Sequence, residues 1–113
     1  MIIKFSPVRT DDKLDLIKFG NSLSINGELF DFSRMVDGDT LPRDAIKSQW
    51  FHGDVEMNEG QLSVLIMLPN PYNYSPEQAF PVPMNDVPDG EVILPKPLPA
   101  LQEEVLQAQE GEA

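Results

Sequence analysis

Asn26-Gly27 sits between two alternating runs in SLSINGELFDFS, residues 22–33, and no other feature constrains the fold of this chain as tightly. A two-residue hairpin loop needs positive φ at both positions, which Asn and Gly supply at low cost. Such a loop pairs Ile25 with Glu28, Ser24 with Leu29 and Leu23 with Phe30. Directly paired residues share a face. Leu23, Ile25, Phe30 and Phe32 then gather on one side, with Ser22, Ser24 and Asp31 on the other. Turn and pattern demand the same register, and a slip of one residue would put both phenylalanines in water.

Other runs up to Leu68 also read as strands. Ile2–Val8 is a first strand with Ile3 and Phe5 on one face; Pro7 lacks a donor and belongs at a strand end or edge. Thr10–Lys13 is a polar turn. Over Lys13–Phe19, Leu14, Leu16 and Lys18 alternate with Asp15 and Ile17, a second strand. Asp37-Gly38-Asp39 turns the chain, and one short helical turn fits Pro42–Ile46. Leu62, Val64, Ile66 and Leu68 form a buried strand, paired through a turn at Gly60 with a strand in Gln49–Met57. A four-residue loop, pairing Glu56 with Gln61 and Val55 with Leu62, is the expected register; a three-residue loop, Asn58-Glu59-Gly60, is the alternative and would put Glu56 beside Leu62. The expected fold is mainly β, a small antiparallel sandwich or barrel of hairpins. Residues 1–68 make the β domain. So small a core, with no cysteine to staple it, needs the rest of the chain to cover an apolar face, or a second copy.

Composition changes at Leu68-Pro69. Nine of the 11 prolines follow it, and residues 69–113 carry eight acids against a single base. The whole chain has 19 acidic and 8 basic side chains, a net charge of −11. That charge repels phosphates and anionic lipid, so neither nucleic acid nor membrane is an expected partner. The beginning, MIIKFSPVR, has no apolar run of the kind a signal peptide carries, and cytoplasmic synthesis is expected.

Residues 69–97 are too rich in Tyr72, Tyr74, Phe80, Val82, Met84, Val87 and Val92–Leu94 to be a plain spacer. Their close prolines fall at i, i+2 and give no P-x-x-P, so an SH3-type ligand is not expected. The reading is an extended arm, partly packed on the domain, with an extra strand at 91–94 that finishes the core. The Tyr/Phe section is the expected contact with a partner. In the acidic tail, 98–113, Leu98, Leu101, Val105 and Ala108 recur at helical spacing, so the tail is helical or disordered. Tyr72, Tyr74, Phe80, Val82, Leu101 and Val105 are the candidate partner-binding residues.

No catalytic, nucleotide-binding or metal motif occurs, and no cofactor is expected. His52, Asp54 and Glu56 alternate along one expected strand, which admits a small ligand-binding or hydrolytic edge as an alternative function. Their spacing specifies no metal, and Asp37-Gly38-Asp39 lacks the further ligands of a calcium loop.

The pieces KFSPVRTDDKLDL, LSINGELFDFS, LPRDAIKSQWFHGDVE and LSVLIMLPNP, followed by FPVP and a V-x-LP end, span most of residues 3–95. In this order they resemble small prophage-encoded proteins of tail-region gene clusters. The resemblance implies a non-enzymatic phage tail structural or tail-assembly protein. Its partners would be other tail or assembly proteins, with a homo-oligomer as a further option, and it would stay cytoplasmic or enter the virion. It transfers no catalytic residue. An acidic inhibitor of a host nucleic-acid enzyme is a weaker alternative suggested by charge.

Overall fold

A computed structural model describes residues 1–99. Within them lie eight strands: β1 (Ile2–Arg9), β2 (Leu16–Phe19), β3 (Ser22–Ile25), β4 (Glu28–Asp31), β5 (Thr40–Leu41), β6 (Val55–Asn58), β7 (Gln61–Asn70) and β8 (Gly90–Glu91). A single short helix, α1 (Pro76–Ala79), and a 3-10 turn at Arg43–Ala45 complete the regular structure. The strands make two four-stranded sheets, β1-β7-β6-β5 and β4-β3-β2-β8. Their buried side chains form one cluster, so the fold is the mainly β sandwich that the patterning predicts.

The Asn26-Gly27 hairpin has the expected register, Ile25 to Glu28 and Leu23 to Phe30. Asn26 and Gly27 take φ of 50° and 86°. β2 adds to it with Leu16 opposite Ile25 and Lys18 opposite Leu23, which puts Lys18 on the buried face. Opposite this sheet lie Ile3 and Phe5 of β1, Val55 and Met57 of β6, and Leu62, Val64, Ile66 and Leu68 of β7. Phe51 joins the two layers. It bridges Ile66, is fully buried, and meets the rings of Phe30 and Phe32 edge-on at 5.0 and 5.8 Å. Such T-shaped pairs place ring edges against ring faces and add to the burial energy.

Two expectations are corrected. The first sheet is not wholly antiparallel: β1 runs parallel to β7, from Ile2 beside Ser63 to Arg9 beside Asn70. The chain leaves β1 for the other sheet, builds β2, β3 and β4 there, and returns through β5 and β6. β7 thus points the same way as β1. Nothing local in the sequence encodes that pairing. The second correction is the β6–β7 register. Met57 faces Leu62 and Asn58 faces Gln61, across a two-residue turn with Glu59 at φ 51° and Gly60 at φ 75°. The expected four-residue loop keeps the same residues facing the core but slides them by two positions. The tight turn is supported from outside, since Asp37 Oδ1 accepts the Gly60 N–H at 2.7 Å and Gly38 N–H donates to Met57 at 2.8 Å.

The arm does cover the body. Ile3 and Met84 exchange both backbone hydrogen bonds, at 2.9 and 2.8 Å. Val87 and Val92 are buried in the core. Gly90 and Glu91 then pair with Lys18 and Ile17 of β2, and Val92 N–H donates to Leu16. The extra strand therefore forms at Gly90–Glu91 instead of 91–94. Gly90 has φ 112°, a conformation open to glycine alone. The ammonium of the largely buried Lys18 side chain reaches the exposed Asp89 Oδ1 at 2.7 Å, and the same oxygen accepts the Gly20 N–H at 2.9 Å. Of the tail expected at 98–113, Leu98 and Pro99 are described, and the rest, with Leu101 and Val105, lies outside the described residues.

Hydrogen bonds from Lys18 and then Gly20 hold the Asp89 carboxyl below its ordinary value of 3.8. The Ser33 backbone and hydroxyl and the Ser22 hydroxyl do the same for Asp31. Both folded values lie below the unfolded ones. The stability they contribute is complete above 3.8 and is lost as pH falls through the folded values. Urea midpoints followed from about pH 5 to about pH 2 should fall. Asp89→Asn should be less stable at neutral pH and show a shallower acid decline. An unchanged acid slope would refute a stabilising role for the Lys18–Asp89 pair. Separately, Glu59→Asn should raise stability by about 0.5–1 kcal/mol, since asparagine tolerates positive φ better than glutamate. An increased urea midpoint at constant m-value checks it.

Candidate functional site

Beyond Asn70 the chain must run past prolines that offer no backbone donor, and short polar side chains organise it. Ser75 caps α1: its hydroxyl accepts the Gln78 N–H, and the Gln78 side chain accepts the Ser75 N–H, with Pro76 at the first helical position. This capping box is legible as Ser-Pro-Glu-Gln, and the sequence analysis missed it. The buried Asn70 donates through Nδ2 to the Gln78 carbonyl at 2.9 Å, tying the end of β7 to the helix.

The same residues hold the returning limb. Ser75 Oγ donates to the Lys96 carbonyl at 2.7 Å, and Gln78 Nε2 donates to that of Pro95 at 3.4 Å. Asn73 Nδ2 donates to the Leu98 carbonyl at 2.7 Å, and Leu98 N–H returns to Asn73 at 2.9 Å. Side-chain donors thus satisfy carbonyls that a proline-rich neighbour could not.

Between the two limbs and β1 lies an apolar groove of about 340 Å³. Phe80, Val82 and Met84 line it from the outgoing limb, Ile93 and Leu94 from the returning one, and Phe5 from β1. Glu77 is the one charged residue of the lining. Phe80, Val82 and Ile93 are 82%, 76% and 68% exposed. Large apolar side chains so exposed and so close together mark a contact surface more readily than scattered ones do.

Of the candidate partner-binding residues, Phe80 and Val82 therefore come together. Tyr72 stands apart and lies under the Arg9 guanidinium, 5.8 Å from its ring centre. Tyr74 is half exposed and is not part of the groove lining. Leu101 and Val105 lie outside the described residues. Ile93, expected to finish the core, faces outward while Val92 is buried. Period-two alternation along an extended segment is the signal that separates them. Phe5 and Met84 join the groove through tertiary packing alone.

The alternative site does not assemble in the same way. His52 Nδ1 lies 2.9 Å from Ser6 Oγ. The Asp54 carboxylate accepts the Arg43 N–H at 2.8 Å, at the start of the 3-10 turn. Glu56 is exposed on β6, opposite Ser63. Among the described residues no group of three His, Asp or Glu side chains is placed to hold a metal ion. In the Asp37-Gly38-Asp39 turn both carboxylates accept backbone N–H groups, from Gly60 and Val36. Within the described residues no helix is long and apolar enough to cross a membrane.

Compared with known proteins, the chain matches no family model, no characterised protein and no solved structure.

Ser75→Ala removes the cap of α1 and the donor to Lys96 together. Exchange of the Gln78 and Phe80 amides should quicken about fivefold, the equivalent of about 1 kcal/mol, while core amides keep their protection. Hydrogen exchange read by NMR checks this.

Proposed function

We propose that this is a non-enzymatic protein that works through protein–protein contact at the groove of its arm, as a structural or assembly component of a phage tail. The observation that carries the contact reading is the cluster of Phe80, Val82 and Ile93, exposed to solvent on an arm held by side-chain hydrogen bonds. Burying such side chains on association is favourable, by about 25 cal/mol for each Å² removed from water. A preordered surface also gives up less conformational entropy on binding. The phage assignment is supported by the resemblance of residues 3–95 to small tail-region prophage proteins. A role in tail assembly places it in the cytoplasm, and a structural role carries it into the virion.

The test is co-expression with the other proteins of its own gene cluster, followed by affinity purification. The wild type should retain at least one tail or assembly protein. Phe80→Asp combined with Val82→Asp should lose about tenfold or more of that retention, with an unchanged circular dichroism spectrum and melting temperature. Both positions are exposed, so the fold should survive. A wild type that retains none of those proteins would sink the phage reading.

A further inference from the structure

The groove borders a strand edge that is only partly used. Ile3 bonds Met84 through both its N–H and its C=O, which shows that the odd-numbered residues of β1 direct their backbone away from β7. Phe5, two residues on, presents its N–H and C=O to the same side. The arm makes no backbone bond to it among the described residues. Phe80, at φ −128° and ψ 65°, turns the chain out of α1, and the Phe80-Pro81-Val82-Pro83 run offers a backbone N–H only at alternate positions. Such a run does not carry the ladder with β1 past the Met84 contact. A wedge therefore opens between β1 and the arm, with backbone groups of Phe5 on one side and apolar side chains around it.

Charge narrows the occupant. Glu77 is the only charge in the lining. A second copy of this chain would bring another net charge of −11. Residues 100–113 carry four acids and no base. The tail segment meets Glu77 with the wrong sign, and two copies repel each other through their like net charge.

Resting on the protein-contact reading above, we propose that the groove receives an extended segment of another protein. Its backbone pairs with Phe5, an apolar side chain enters between the two limbs, and a lysine or arginine lies against Glu77. This is strand addition to a sheet edge, in which main-chain bonds give affinity and alternate side chains give selectivity.

Two blocked peptides serve as probes, Thr-Val-Lys-Val-Thr-Val and the same peptide with glutamate in place of lysine. Titrated into the full-length ¹⁵N-labelled protein, the lysine peptide should shift the amides of Phe5, Val82 and Ile93 and slow exchange at Phe5. It should bind about tenfold tighter than the glutamate peptide, and Glu77→Lys should reverse that order. Equal binding of both peptides, shifts that avoid the groove, or no shift at millimolar peptide would overturn the proposal. The two readings fail separately. If a tail protein depends on Phe80 and Val82 but is indifferent to Glu77→Lys and leaves Phe5 exchange unchanged, the contact function stands and the strand-addition proposal falls.

Discussion

A sandwich of two sheets must deal with its open edges, and here one segment runs along an edge of each. The arm bonds β1 at Met84, buries Val87, and becomes β8 against β2. Unpaired strand edges expose rows of backbone donors and acceptors and invite association. The Lys18–Asp89 pair sits where this crossing ends. The Lys18 stem is buried on the inner face of β2, and its ammonium emerges beside the exposed Asp89 carboxylate. The arm brings that carboxylate. The pairing of β2 by the arm and the supply of a counter-charge to Lys18 are therefore the same event.

Proline suits this task for a physical reason. It restricts the unfolded arm and lowers the entropy lost on ordering it, while its missing N–H leaves no donor stranded on the outer side. The cost is that such a segment cannot hold itself by a backbone ladder. Asn70, Asn73, Ser75 and Gln78 supply the missing bonds from their side chains. The bonds from Asn73, Ser75 and Gln78 tie the two limbs together beside the groove.

Sequence revealed local structure well and long-range structure poorly. The Asn26-Gly27 register and the inward face of Lys18 follow from turn chemistry and period-two alternation, and both are present. The β6–β7 turn defeated the same reasoning because Glu59 adopts positive φ, a conformation that side chains avoid unless tertiary bonds such as Asp37 to Gly60 compensate. The parallel pairing of β1 with β7 joins segments some 60 residues apart and leaves no local trace. In the candidate site, Phe80 and Val82 were legible as exposed anchors on an extended arm. Phe5 was not, because its strand pattern only says that it is buried.

Stability and contact are interleaved along the arm at a spacing of one or two residues. Val92 is in the core and Ile93 is in water; Met84 is bonded to β1 while Val82, two residues earlier, is free of it. An experiment that removes residues 69–99 as a block would strip β8, Val87 and Val92 from the sandwich along with the groove. Loss of a partner would then report unfolding as readily as recognition. Only substitutions on the outward-facing set, Phe80, Val82 and Ile93, alter the surface while leaving the core and the Lys18–Asp89 pair intact.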